Sequence, residues 1–210
     1  MQKIILLPLL CYSLIANAYG PKSEEIWYPQ QALTADYAFS VQTAIDDGRH
    51  MVQAIRVINR KTEAVIQEIG AINGMPIVGL PNELVSIVDA NFDGFPDLVI
   101  PFADGGAGPN STDYVYLFNP RLHRFELNRQ LSDLTQISFN SNRTISSASR
   151  GGAGHHSAAT YRFYGKNLVL ISDWDESYTN DGWIETTTRK LVKGRWESKT
   201  HRIPQPRNDQ

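Results

Sequence analysis

The segments AFSVQTAI (residues 38–45) and MVQAIRVIN (51–59) flank the tripeptide Asp46-Asp47-Gly48. Both segments alternate apolar and polar residues, which is typical of a β-strand with one buried face. Asp-Gly between two such segments is a strong signal for a tight hairpin turn. The sequence therefore predicts a β-hairpin at this position.

Further short segments are rich in β-branched or aromatic residues and are separated by Gly, Asn, Asp and Pro. They are residues 64–69, 84–88, 98–102, 114–118, 124–127, 144–149, 160–164, 168–172, 183–191 and 195–203. No stretch of 12 or more residues keeps a helical period. We therefore expect an all-β sandwich, barrel or propeller.

One short motif occurs twice and narrows this choice. Gly-Gly-Ala-Gly at 105–108 precedes the aromatic segment 114–118, and the same tetrapeptide at 151–154 precedes the aromatic segment 161–163. The offset is in the range of propeller blades, although the motif could also recur by chance in a loop-rich protein. We predict a single, small β-propeller-like domain of short antiparallel strands over 36–210, after a flexible lead-in over 19–35.

The first residues, MQKIILLPLLCYSLIANAYG, predict a cleaved secretory signal over 1–18. Lys3 precedes an apolar run that is too short to span a bilayer, and cleavage is expected after Ala18. No later segment approaches the roughly 20 apolar residues of a transmembrane helix. Cys11 is the only cysteine, and Leu10 before it argues against a lipoprotein. We expect a periplasmic or secreted protein without disulfides.

The net charge is −2 and the pI is near 6.2, so we expect no electrostatic attraction of nucleic acid or anionic lipid. The sequence has no Gly-x-Ser-x-Gly elbow, His-Glu-x-x-His pair, phosphate loop or dinucleotide fingerprint. We therefore predict a binding protein and not an enzyme.

A calcium loop is predicted between residues 89 and 97. Oxygen-bearing side chains stand at loop positions 1, 3, 5 and 9, and Gly94 stands at position 6, where a sharp turn needs it. The carbonyl of the residue at position 7, together with water, can complete a calcium shell. The alternative is an acidic turn without metal. The predicted ligands are Asp89, Asn91, Asp93, Phe95 and Asp97.

The second glycine-rich segment carries the candidate residues for partner binding. Arg150 precedes it, Gly152 lies within it, and His155 and His156 follow it. The two histidines are adjacent, so on an extended chain they point to opposite faces and are unlikely ligands of one ion. Tyr114, after the first glycine-rich segment, is either a core residue or an interface anchor.

A second acidic cluster consists of residues 173–176 and the tripeptide Asn180-Asp181-Gly182. A glycosidase needs two carboxylates with different proton affinities across a sugar site, and nothing in the sequence separates the roles of these acids. A solvated hairpin with Asn-Asp-Gly as its turn fits better, and an auxiliary calcium site is the other alternative.

The segment 88–98 (VDANFDGFPDL) resembles the calcium loop of FG-GAP repeats in integrin-type β-propellers. With the glycine-rich segments and the aromatic segments, residues 84–170 are similar to a family of bacterial periplasmic proteins. That family includes an immunity protein of a bacteria-killing type IV secretion system, which inhibits a lysozyme-like effector. The resemblance implies one structural calcium ion and inhibition by loops that enter the hydrolase cleft.

Two functions of different classes follow. The first is a calcium-stabilised inhibitor of a peptidoglycan-cutting hydrolase. The alternative is a general envelope or adhesion module whose loops bind glycan or a surface protein.

Overall fold

The structure is a computed structural model that describes residues 26–105 and 110–206. The predicted signal with Cys11, the start of the lead-in and part of the first glycine-rich segment lie outside these residues. The described chain forms strands and one short helix, α1 (Arg129–Ser132), whose N-cap is Asn128. The strands are β1 (Trp27–Pro29), β2 (Tyr37–Asp46), β3 (Arg49–Asn59), β4 (Val65–Ile69), β5 (Ser86–Val88), β6 (Asp97–Ala103), β7 (Thr112–Asn119), β8 (Arg124–Leu127), β9 (Ser138–Phe139), β10 (Ile145–Arg150), β11 (His155–Tyr164), β12 (Asn167–Tyr178), β13 (Trp183–Val192) and β14 (Arg195–Pro204).

The strands form three antiparallel sheets in which each strand pairs with its neighbours in sequence. Sheet 1 contains β1–β4, sheet 2 contains β5–β8, and sheet 3 contains β9–β14. Several connections within the sheets are turns of two to four residues, such as 47–48, 165–166 and 193–194, and turns of this length join adjacent antiparallel strands. The prediction of an all-β fold is confirmed.

Sheet 2 is the middle layer, because it contributes side chains to two separate cores. Leu98 and Ile100 face sheet 1, where they join Phe39, Ile55 and other buried residues. Val99 lies between them in sequence and faces sheet 3, where it packs with Val115 and Ile145. Alternation along β6 therefore places an apolar side chain on both faces, as expected for a strand that is covered on both sides.

Glutamine side chains fasten sheet 1 to its neighbours. In β4, Gln67 donates to the Phe125 carbonyl and accepts from the Phe125 amide, both at 2.8 Å. Gln30, which is buried, accepts from the Leu84 amide at 2.8 Å. Gln67 thus satisfies both backbone groups of Phe125 in the edge strand β8, and Gln30 satisfies the Leu84 amide before β5.

The propeller prediction is not met in the described residues. The three sheets contain four, four and six strands, and no closed ring of equivalent blades is seen. The two aromatic segments that suggested a repeat, β7 and β11, are the third strands in chain order of sheets 2 and 3, but sheet 3 has six strands where sheet 2 has four. Two strands of sheet 3 are also longer than predicted, since β11 spans 10 residues and β12 spans 12.

The predicted first hairpin is confirmed as β2 and β3, and its turn residues Asp47 and Gly48 have positive φ values of 46° and 73°. The sequence analysis missed β1 and β9. Within the predicted flexible lead-in, Trp27 and Tyr28 pair with β2 as part of β1. The guanidinium of Arg56 lies 3.7 Å from the Trp27 ring centre, which anchors this strand.

Candidate functional site

The acidic loop joins β5 to β6 and is organised by its own side chains. The Asp93 amide donates to Asp89 Oδ1 at 2.9 Å and to Asn91 Oδ1 at 3.0 Å, and the Gly94 amide donates to Asp89 Oδ2 at 2.9 Å. Phe92 and Gly94 have positive φ values of 61° and 91°, so the chain turns sharply here. The structure therefore brings Asp89, Asn91 and Asp93 together in one tight turn.

Asp97 lies at the end of the loop but in a different environment. Its side chain is fully buried, Oδ2 accepts from the Ala90 amide at 2.8 Å, and Oδ1 accepts from the Phe118 amide at 2.7 Å. Burial raises the pKa of this carboxyl to about 6, because desolvation outweighs the two hydrogen bonds that favour the charged form. Asp97 thus ties the loop to β7.

The residues of the loop fit a hard cation in part. Asp89 and Asp93 supply carboxylates, and Asn91 supplies an amide oxygen next to them, all of which are ligands that calcium accepts. Within residues 26–105 and 110–206, however, no three His, Cys, Asp or Glu side chains are grouped as metal ligands. Both oxygens of Asp97 are engaged by amides, and the five-ligand calcium set, including the Phe95 carbonyl, stays a prediction.

The second glycine-rich segment is a tight, exposed turn between β10 and β11. The Gly151 amide donates to the His155 carbonyl at 2.9 Å, and Gly152 has a φ of 102°. A Cβ atom at Gly154 would lie 3.0 Å from the Tyr178 ring, so the turn packs closely against the end of β12. Arg150 and Gly152 are both exposed, as a partner-binding role requires.

A side-chain brace connects the two glycine-rich segments. Asn110 Nδ2 donates to the Arg150 carbonyl, and the Arg150 amide donates to Asn110 Oδ1, both at 2.8 Å. Asn110 lies two residues after the first segment in sequence. The two Gly-Gly-Ala-Gly motifs therefore lead to one braced surface, which we call the glycine platform and define as Asn110 together with residues 150–154.

The brace depends on Gly105, where the backbone approaches itself closely. Gly105 has a φ of 75°, and a Cβ atom there would lie 2.4 Å from the Asn110 carbonyl carbon. Gly182 has a similar φ of 85° but open space around it.

We expect Gly182→Ala to cost about 1 kcal/mol of folding stability from backbone strain alone. Gly105→Ala should cost about 2 kcal/mol or more, because a steric clash adds to the strain.

Thermal or urea unfolding of the two variants checks this expectation, with Gly182→Ala as the matched control. Equal losses for both variants would show that the backbone around Gly105 and Asn110 is not closely packed.

The histidines lie in β11 and not at a loop tip. His155 Nε2 is 2.7 Å from Asp175 Oδ2, and His156 Nδ1 is 3.4 Å from Glu176 Oε1. Adjacent strand residues point to opposite faces, so the two histidines meet different acids on opposite sides of sheet 3. Both side chains are thus held at the base of the glycine platform, and the exposed tip consists of residues 151–153.

Tyr114 is partly buried, in agreement with the core alternative. Its ring centre lies 4.6 Å from that of Phe102 and 6.3 Å from that of Tyr116, and it packs against the core between sheets 1 and 2. These contacts occupy its ring, and they give no support to an interface anchor at this position.

The second acidic cluster is divided between a turn and a strand. Asp181 and Gly182 lie in the predicted turn between β12 and β13, whereas residues 173–176 lie in β12. Arg189 Nε donates to Asp173 Oδ1 at 2.8 Å, and Arg202 Nη2 lies 3.0 Å from Asp181 Oδ2. Arginines of the neighbouring strands thus pair with Asp173 and Asp181, and the predicted hairpin is present as β12 and β13. The auxiliary calcium site stays an alternative.

A polar groove of about 630 Å³ runs along one face of sheet 3, beside residues 133–135. Asp173, Asp175 and Arg189 line it together with hydroxyl-bearing residues such as Ser157 and Thr187. Sequence reasoning missed this groove, although the alternation of residues 173 and 175 with 174 and 176 was a signal that two acids share a face.

In the described part of the chain, no helix is long and apolar enough to cross a membrane.

Comparison with known proteins gives one informative likeness. No family model matches the sequence, and no curated protein matches it. A solved structure described as a Xanthomonas type IV secretion system related protein superposes with a TM-score of 0.59 at 19% identity. The match covers 85% of this chain and 95% of that chain. At this identity the likeness shows a shared fold.

Proposed function

We propose that this chain is an exported, calcium-stabilised binding protein that blocks a peptidoglycan-cutting, lysozyme-like hydrolase. The glycine platform is the observation that carries the proposal. It presents an exposed turn on a rigid base, and a pre-organised loop loses little entropy when it enters a cleft.

The charge of the platform supports this choice of target. Arg150 is exposed beside the tip, and its backbone is fixed by Asn110 on both the amide and the carbonyl side. Lysozyme-like hydrolases carry two catalytic carboxylates in their cleft. A small tip of glycine and alanine that is flanked by an arginine fits such a cleft in shape and charge.

The fold likeness supports the proposal, since the similar solved protein is described as related to a type IV secretion system. Inhibition of a secreted hydrolase is compatible with that setting. The acids of the polar groove support a catalytic function less than the platform supports inhibition, because Asp173 pairs with Arg189 and Asp175 pairs with His155.

Two platform variants test the proposal. Arg150→Glu reverses the charge beside the tip, and Ala153→Trp enlarges an exposed residue at the tip. Each should weaken binding to the hydrolase about tenfold or more, since contacts that insert into a cleft dominate binding energy. Arg121→Glu, at an exposed turn between β7 and β8, is the matched control and should leave binding unchanged.

Affinity capture checks this expectation, with extracts that contain cell-wall hydrolases and with calcium or chelator present. Calcium-dependent capture of a hydrolase that Arg150→Glu abolishes supports the proposal. Capture that is equally strong with both platform variants contradicts the role of the platform.

A second candidate function is an envelope module that binds glycan, and the polar groove favours it. Tyr161 lies among the hydroxyl and charged side chains of the groove, and such a mixture can hydrogen-bond and stack on a sugar. Retention of the pure protein on peptidoglycan, without any hydrolase present, would favour this alternative.

A further inference from the structure

Strand β14 is a long edge strand with an open side. It is the last strand of sheet 3 and pairs with β13, and no other described residue pairs with it. All ten of its residues are exposed. An edge of this length presents a row of free backbone groups that can pair with another strand.

The turn before β14 determines which backbone groups face outward. Lys193 and Gly194 have φ values of 49° and 78°, and the flanking residues Val192 and Arg195 are paired. This is the geometry of a two-residue primed turn, in which the flanking residues exchange hydrogen bonds. Because hydrogen-bonded and open positions alternate along an antiparallel strand, the odd-numbered residues of β14 bond to β13. The backbone amide and carbonyl groups of the even-numbered residues therefore point away from β13, toward the open edge. These residues include Trp196, Ser198 and Thr200.

The far end of the strand agrees with this assignment. Pro204 is an even-numbered residue opposite Trp183, and proline has no amide hydrogen to donate. Proline is tolerated in a sheet where its nitrogen faces away from the neighbouring strand. The Gln205 amide, at the next odd position, donates to the Gly182 carbonyl at 2.9 Å.

We propose that β14 pairs with β14 of a second copy of this chain, antiparallel and centred on Ser198. A twofold axis perpendicular to the sheet at Ser198 places outward-facing residues opposite each other, so that Trp196 lies opposite Thr200 of the second copy. The three outward pairs within the overlap would form about six backbone hydrogen bonds.

Charge complementarity favours this register over the two neighbouring ones. With Ser198 at the centre, Glu197 of each copy lies opposite Lys199 of the other, and the axis generates this ion pair twice. A centre at Lys199 would place the two Lys199 side chains opposite each other, and a centre at Glu197 would do the same for Glu197. Opposite charges across a strand pair stabilise it, whereas like charges destabilise it.

The same pairing explains the charged character of the edge. A lysine on an edge strand usually prevents pairing with other chains. Lys199 disfavours pairing with a strand that places an uncharged or basic residue opposite it. In the twofold register the residue opposite Lys199 is Glu197, so the lysine no longer disfavours pairing. The edge therefore discriminates in favour of its own copy.

An interface limited to one strand edge is small, so the dimer should be weak, with a dissociation constant on the order of micromolar or higher. Sedimentation equilibrium measures it on the chain purified from the periplasm of an expression host, from about 1 µM to 1 mM. The wild-type protein should shift from monomer to dimer over this range. A wild-type protein that stays monomeric throughout overturns the proposal.

Charge variants test the register. Glu197→Lys and Lys199→Glu should each weaken the dimer about tenfold or more, because each places like charges opposite each other. The double variant Glu197→Lys/Lys199→Glu restores opposite charges and should restore the wild-type dimer. A double variant that dimerises no better than the single variants overturns the twofold register.

Ser198→Pro tests the backbone pairing. The variant removes an outward-facing amide and leaves the hydrogen bonds to β13 in place, so circular dichroism should show a folded protein. It should be monomeric at concentrations where the wild type is a dimer. Lys199→Pro removes an amide that bonds to β13, and it should instead destabilise the fold. If Ser198→Pro dimerises like the wild type, or unfolds as readily as Lys199→Pro, the assignment of outward amides is overturned.

Discussion

Replacement of Phe39 by alanine is expected to lower the free energy of unfolding by about 3–5 kcal/mol. The ring is 1% exposed and lies in the core between sheets 1 and 2. Its centre is 5.8 Å from that of Phe125 in β8, in an edge-to-face arrangement that adds to the energy of burial. Removal of the ring leaves a cavity between two sheets, and the surrounding strands can close it only in part.

Urea unfolding measures this loss, and Ile45→Ala is the control. Ile45 lies in the same strand and is 65% exposed, so its truncation should change stability by no more than about 0.5 kcal/mol. If Phe39→Ala cost less than about 1 kcal/mol, sheets 1 and 2 would not be packed as the structure shows.

Calcium at 100 times its dissociation constant is expected to stabilise the protein by about 2.7 kcal/mol. An ion that binds the folded loop and not the unfolded chain shifts the equilibrium by mass action. The carboxylates of Asp89 and Asp93 are gathered in one turn, where a cation relieves their repulsion. Thermal unfolding in calcium and in chelator measures the difference.

Asp93→Asn should abolish the stabilisation by calcium while it preserves the size of the side chain. Asp181→Asn is the matched control, because Asp181 lies in the other acidic turn and is paired with Arg202. It should keep the full response to calcium. A wild-type protein whose melting temperature is the same in calcium and in chelator would show that the acidic loop binds no calcium under these conditions.

The sequence predicted the parts of the fold that depend on neighbouring residues. The turn at Asp47-Gly48 follows from local conformational preference, and most strands follow from alternation. The length of β12 was underestimated because Asp173 and Asp175 do not resemble strand residues. Asp173 pairs with Arg189 and Asp175 hydrogen-bonds with His155, and both partners lie on adjacent strands, 16 and 20 positions away in sequence.

The sequence indicated which residues belong to the candidate site, but it did not predict how the fold brings them together. Arg150 ends β10 and Gly152 lies in the turn that follows, and both are exposed. The brace between Asn110 and Arg150 joins residues 40 positions apart, and periodicity contains no information about such a contact. The repeated Gly-Gly-Ala-Gly motif was interpreted as a blade repeat. The structure joins Asn110, two residues after the first motif, to Arg150, the residue before the second.

The local sequence pattern also did not predict the role of Asp97. Its position in the loop motif predicts a metal ligand, yet its oxygens accept from amides of the loop and of β7. Only the packing of β6 against β7 reveals the second of these bonds.

The most direct test of the central claim is inhibition of a purified lysozyme-like effector on peptidoglycan, titrated with this protein in calcium. We predict loss of hydrolysis at a stoichiometric ratio of the two proteins, with the inhibition weakened about tenfold or more by Arg150→Glu and unaffected by Arg121→Glu. Undiminished hydrolysis by every lysozyme-like effector encoded beside this protein, in the presence of the folded, calcium-loaded chain, would contradict the proposed function.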